Sequence, residues 1–163
     1  MNIVLIGMPG CGKSTVGVLL AKSMLRDFVD TDLIIQNTYK KSLCDIINDE
    51  GLEVFKEKEN IVLRDLKADN SVIATGGSAV YCPEGMDNLK KDGKIIYLRL
   101  SPETIKSRIK NITTRGIAMA PDCTIDDLYK ERSVLYEKYA DVIIDSENLT
   151  AEETVNKIME NSL

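Results

Sequence analysis

Apolar runs and helical-period stripes alternate along the chain. Asn2-Ile3-Val4-Leu5-Ile6 is an almost unbroken apolar run, the pattern of a parallel strand buried on both faces. After a glycine-rich stretch, Val16, Leu19, Leu20 and Met24 recur at helical spacing. Phe28 to Asp32 reads as a short second strand ending in acids, and the chain turns into helix from Leu33 to about Asn37. Ser42-x-x-Asp45 has the form of a capping box for a short helix through Ile46 and Ile47, which Gly51 breaks. A longer helix is expected from Leu52 to Leu66, with Leu52, Phe55, Val62 and Leu66 toward the core. Val72–Thr75 predicts a third strand, Glu84 to Lys91 a short helix, and Ile95–Leu100 a fourth strand. Ser101-Pro102-Glu103 opens a helix expected to reach Asn111, with Ser as N-cap and Pro at the first helical position. Residues 111–123 show no period and contain Gly116 and Pro121, which predicts a mobile loop. Thr124-x-x-Asp127 caps a helix to Tyr139, Asp141–Asp145 is a fifth strand, and Thr150-x-x-Glu153 caps a last helix.

Strands alternating with helices make an α/β fold: a parallel sheet flanked by helices. At 163 residues the chain is expected to be one domain with a substantial core. A hydrophobic content of 44% and a charged content of 29% are ordinary for a globular protein. The net charge of −5 argues against a general nucleic-acid partner. No apolar run is long enough for a membrane-spanning helix, and the chain opens on a core strand rather than a signal peptide. The expectation is a cytoplasmic monomer with neither nucleic-acid nor membrane partners. Cys11, Cys44, Cys82 and Cys123 form no C-x-x-C pair and are read as reduced thiols, Cys11 as a small filler within its loop. The absence of histidine removes the commonest general base and leaves carboxylates, Lys, Tyr or Cys.

Candidate chemistry centres on Gly7-Met8-Pro9-Gly10-Cys11-Gly12-Lys13-Ser14-Thr15, which fits the phosphate-binding loop pattern and stands between a strand and a helix. Backbone N–H groups around Gly10, Cys11, Gly12 and Thr15 can cradle phosphates. Lys13 supplies charge at the β- and γ-phosphates, and Ser14 a hydroxyl for Mg²⁺. Asp30 and Asp32 lie two positions apart on a predicted strand, so both carboxylates face one side. One can hold Mg²⁺ through water and the other accept a hydrogen bond from a substrate hydroxyl. Thr75-Gly76-Gly77-Ser78 places bare backbone at the carboxyl edge of the sheet, where ligands bind in open α/β folds. Lys106, Arg108, Lys110 and Arg115 form a basic stretch without an acid between Glu103 and Asp122. Lys106 and Lys110 suit a helix C-terminus, whereas Arg115, in the loop, suits a lid closing on a transferring phosphoryl group. No Walker B acid follows a long apolar strand and no guanine-reading Asn-Lys-x-Asp occurs, so a small kinase fits better than a motor ATPase or GTPase switch.

These motifs together resemble the shikimate kinase family over nearly the whole chain. The resemblance rests on Gly7–Thr15, Asp30-Thr31-Asp32, Gly51 with Phe55 and Glu59, Thr75-Gly76-Gly77, Arg115, and the run from Glu131 to Asp141 containing Arg132 and Tyr136. It implies a five-stranded, adenylate-kinase-like P-loop NTPase fold and the use of ATP with Mg²⁺. It assigns Lys13 to the phosphates, Ser14 and Asp30 to Mg²⁺, and Asp32 to the acceptor hydroxyl as contact and base. Gly76, Gly77 and Arg132 would bind the acid acceptor, Arg115 would be the lid arginine, and Arg108 would stack on adenine. Residues 31–68 would form the acceptor-binding subdomain and 111–123 the lid of a single kinase domain. Three positions depart from the family pattern. Lys56, which would meet the acceptor's carboxylate, stands where an arginine follows the phenylalanine; Ser78, also expected at the acceptor, replaces a third glycine; and the lid reads Arg115-Gly116-Ile117. The reading is ATP-dependent phosphorylation of shikimate in aromatic amino-acid biosynthesis. The alternatives are a same-fold kinase for another small hydroxy acid or polyol, and a nucleotide-binding module without that activity.

Overall fold

A computed structural model of the chain describes residues 1–109 and 116–162. Its element order is β1 (Asn2–Ile6), α1 (Lys13–Met24), β2 (Asp27–Asp30), α2 (Thr31–Tyr39), α3 (Leu43–Glu50), α4 (Leu52–Asp65), β3 (Ser71–Ala74), a single 3-10 turn (Ala79–Tyr81), α5 (Pro83–Lys91), β4 (Gly93–Arg99), α6 (Pro102–Arg108), α7 (Ile125–Tyr139), β5 (Val142–Asp145) and α8 (Ala151–Ser162). The five strands form one parallel sheet in the order β2-β3-β1-β4-β5. β1 is central, with Ile3 opposite Val72 and Val4 opposite Ile95, which is why all five of its residues are buried. With the chain reversing its lateral direction around β1, the loops after β1, β2 and β3 meet at the carboxyl edge of the sheet.

Local capping sets most helix starts. Ser42, Ser101 and Thr124 accept hydrogen bonds from the N–H groups of Asp45, Thr104 and Asp127. Thr150 and Glu153 exchange the same pair of bonds at the start of α8. Each bond satisfies a first-turn donor that would otherwise lack a partner.

Two apolar clusters hold the molecule together. The larger packs both sheet faces, from Ile3, Leu5, Ile73, Ile96 and Leu98 to Leu20, Met86, Tyr136 and Ile158. The smaller joins α2, α3 and α4 through Ile35, Leu43, Ile46, Phe55 and Val62, and includes Ala118 from the segment before α7. No helix among the described residues is long and apolar enough to cross a membrane.

One expectation changes, and two others meet the described residues only in part. β2 stops at Asp30, so Asp30 and Asp32 do not share a strand face. Asp30 instead N-caps α2, its Oδ1 accepting from the Asp32 N–H at 3.0 Å, and Asp32 lies in the first helical turn. α6 ends at Arg108, and the expected continuation through Lys110 to Asn111 lies outside the described residues. Of the segment expected to be mobile, residues 116–123 are described. Ala118 is buried, and its carbonyl accepts a hydrogen bond from Arg132 Nη2.

Candidate active site

Gly12 caps α1 from a left-handed conformation, φ 95°, and Gly10 bends the loop at φ 80°. Neither conformation suits a residue with a Cβ. Gly12 also offers no side-chain acceptor, so the first N–H groups of α1 remain available to an anion, reinforced by the helix dipole. Lys13 is only 8% exposed. Its Nζ donates to the carbonyls of Gly7 at 2.8 Å and Met8 at 2.9 Å, and lies 3.6 Å from Cys11 Sγ. Cys11 itself is buried within the loop, and Thr15 is exposed one position beyond Ser14. Ser14 Oγ donates to Asp30 Oδ2 at 2.8 Å. These hard oxygen donors suit Mg²⁺, which takes one or two protein ligands and completes its shell with phosphates and water. No cluster of three metal-ligating side chains occurs among the described residues.

A cleft of about 330 Å³ opens beside the loop, lined by Lys13, Ser14, Asp32, Gly76, Gly77, Ser78 and Arg132, with Phe55, Gly116 and Ile117 on its apolar side. Burial raises the Asp32 carboxyl to about 6; the like charge of Asp30 adds to this and Lys13 opposes it. At neutral pH such a group is largely ionised yet basic enough to take a proton. Arg132 also lines the cleft, 1% exposed, with Nε buried and without a partner among the described residues. A buried guanidinium with a free donor is poised for an anion, because the alternative is an uncompensated polar group. The turn between them is fixed from both sides. Tyr136 Oη donates to the Gly77 carbonyl at 2.6 Å, and Ser78 Oγ donates to Glu59 Oε2 at 2.5 Å. Gly76 admits no side chain: a Cβ there would lie 2.7 Å from Glu59 Oε1 and 2.8 Å from Asp32 Oδ1.

Glu59 was given no role in the sequence reading. It is fully buried, its Oε1 has no partner among the described residues, and burial pushes its carboxyl to about 7. The signal was present: an acid four positions after Phe55, on the stripe that α4 turns to the core.

Lys56, expected at the acceptor, does not line the cleft. Its Nζ is 3.4 Å from Glu53 Oε1, one turn back on α4, and 4.6 Å from the ring centre of Tyr81, which together draw its charge aside. Arg108 lines a separate cavity of about 160 Å³ on the other side of the loop, with Cys11, Gly12, Thr15, Ser146 and Thr154. Lys110 and Arg115 lie outside the described residues.

The family model for shikimate kinase matches residues 9–162. The chain belongs to the shikimate kinase family. Shikimate kinase from Thermodesulfovibrio yellowstonii is 41% identical over 161 residues, covering 97% of this chain and 92% of the relative. Among solved structures, shikimate kinase from Acinetobacter baumannii in complex with shikimate superposes with a TM-score of 0.89 at 31% identity, covering 98% of this chain and 90% of the other. Shikimate kinase from Aquifex aeolicus gives 0.84 at 33% identity, covering 98% and 95%. The five-stranded parallel sheet and its loop are therefore those of a P-loop, adenylate-kinase-like shikimate kinase fold. Against the family pattern, the departure at Ser78 touches the cleft directly, while the departure at Lys56 turns away from it.

Proposed function

We propose that the protein transfers the γ-phosphoryl group of ATP to a ring hydroxyl of shikimate, a step of aromatic amino-acid biosynthesis in the cytoplasm. The observation that carries this reading is one cleft holding three complementary groups: Lys13 at a phosphate loop, the Asp32 carboxyl to receive a hydroxyl, and the buried Arg132 guanidinium for a carboxylate. A small hydroxy acid matches that set, and curated relatives of nearly the same length carry the name shikimate kinase.

In the reaction, Asp32 orients the acceptor hydroxyl and takes its proton as the oxygen bonds to the γ-phosphorus and the bond to the β,γ-bridging oxygen breaks, releasing ADP. Lys13 leaves the carbonyls of Gly7 and Met8 for the phosphates and offsets the charge that develops there. The N–H groups of the loop align the chain of phosphates, so that much of the acceleration comes from positioning. Ser14 and Asp30 would hold Mg²⁺, which neutralises phosphate charge when bound. Arg115 is assigned to the transferring group and Arg108 to the adenine side. Residues 31–68 serve as the acceptor subdomain, with 111–123 as its lid.

A coupled assay of ADP release over a panel of hydroxy acids tests this reading. Release that depends on shikimate is expected. No release with shikimate, together with brisk release on another acid, would replace it with the second reading, a kinase for a different hydroxy acid. That reading is favoured by the outward turn of Lys56.

A further inference from the structure

The 3-10 turn Ala79–Tyr81 follows the acceptor-facing glycines and lies between α4 and α7. Its last residue, Tyr81, carries two cations on one ring. Lys56 Nζ of α4 is 4.6 Å from the ring centre, and Arg132 Cζ of α7 is 5.3 Å from it. Both distances fall within the range where a cation gains from the negative face of an aromatic ring. The Tyr81 hydroxyl donates to Glu131 Oε1, the residue preceding Arg132, so the ring is tied to α7 at its tip as well as at its face.

The two cations differ in freedom. Arg132 is buried, and its Nη2 is already engaged with the Ala118 carbonyl. Lys56 keeps 26% of its side chain exposed and has a flexible four-carbon stem. Its partner Glu53 is 87% exposed, so that ion pair is weak. What holds Lys56 in place is chiefly the ring. None of the roles assigned to the cleft uses Tyr81.

Resting on the reading of an acid acceptor, we propose that Tyr81 is a positioning residue that determines acid selectivity: its ring sets the plane of Arg132, which lines the cleft, and holds Lys56 outside that lining, from where the acceptor carboxylate draws it. The acceptor's negative charge is then read by two cations that share one aromatic ring, and the ring does its work without touching the reacting atoms.

The test compares Tyr81→Leu, which removes the ring, with Tyr81→Phe, which keeps the ring and removes only the tether to Glu131. Both are assayed with shikimate and with its methyl ester, which lacks the negative charge. For Tyr81→Leu, KM for shikimate should rise about tenfold, with KM for ATP unchanged and kcat within about twofold. Its preference for shikimate over the ester should fall by a similar factor. Tyr81→Phe should restore most of the loss. An unchanged shikimate KM in Tyr81→Leu, or equal losses on acid and ester, would overturn the proposal. The ring-current shift of the Lys56 ε-methylene, read by NMR in the free protein, is independent of turnover. It should be present in the parent and in Tyr81→Phe and absent in Tyr81→Leu. Its absence from the parent would refute the storage of Lys56 even if shikimate were not the acceptor, whereas absent shikimate turnover with the shift present would refute only the choice of acceptor.

Discussion

Replacing Glu59 with Gln should remove a pH-dependent weakness from the fold. Burial displaces this carboxyl from 4.5 to about 7, Asp32 adds to the rise, and the Ser78 hydroxyl, Arg132 and Lys13 oppose it. Between those two values the folded state binds more protons than the unfolded chain, so the unfolding free energy falls as pH rises. The stability attached to the protonated group is fully present below pH 4.5 and is lost as pH climbs through about 7. At ~1.4 kcal/mol per unit, the loss approaches about 3 kcal/mol. For a domain of this size it corresponds to a melting-temperature change on the order of 6–12 °C. A glutamine keeps the shape and can still accept the Ser78 hydroxyl hydrogen bond, but does not titrate. Urea unfolding of the parent and Glu59→Gln from pH 4.5 to 8 measures the difference, which carries Glu59 together with its coupling to Asp32. The variant should gain on the parent steadily up to pH 7 and then level off. A difference independent of pH, or one shrinking as pH rises, would refute the assignment of a proton to buried Glu59.

Gly76→Ala would bring a methyl group to within 2.8 Å of both the Asp32 and Glu59 carboxylates, forcing them to shift. Steady-state kinetics should show kcat reduced more than about tenfold at an unchanged KM for ATP, the scale on which small misplacements act in catalysis. An unimpaired kcat would place the reacting hydroxyl elsewhere. Lys13→Ala should lower turnover by at least about 10² while preserving the far-ultraviolet circular dichroism of the fold, since an electrostatic contact at developing charge is lost. Full activity in that variant would contradict its role.

Much of the architecture was legible because it is written locally. The four capping pairs, beginning at Ser42, Ser101, Thr124 and Thr150, need only residues three apart, and all four form. The phosphate loop was legible for the same reason, its strand, glycines and helix being contiguous. Asp32 was misplaced because Phe28-Val29 carries the pattern of a strand into Asp30, while Asp30 is equally an N-cap; the helix won by engaging the Asp32 N–H. The outward turn of Lys56 was not legible at all. It depends on Tyr81, 25 positions away in sequence, which meets α4 only in the folded chain. Glu59 was legible in principle as an acid on an apolar stripe, but its partner Ser78 arrives from another strand's loop.

The sheet's two rims have a colloidal consequence. β2 and β5 each bond to a single neighbour, leaving main-chain donors and acceptors on their outer sides. Both strands are four residues long, and aspartates sit at their ends: Asp27 and Asp30 on one, Asp145 on the other. A second molecule adding on as a further strand would press like charges together on a chain already at −5. Strand addition at these edges is thus opposed by charge, an opposition that high salt weakens.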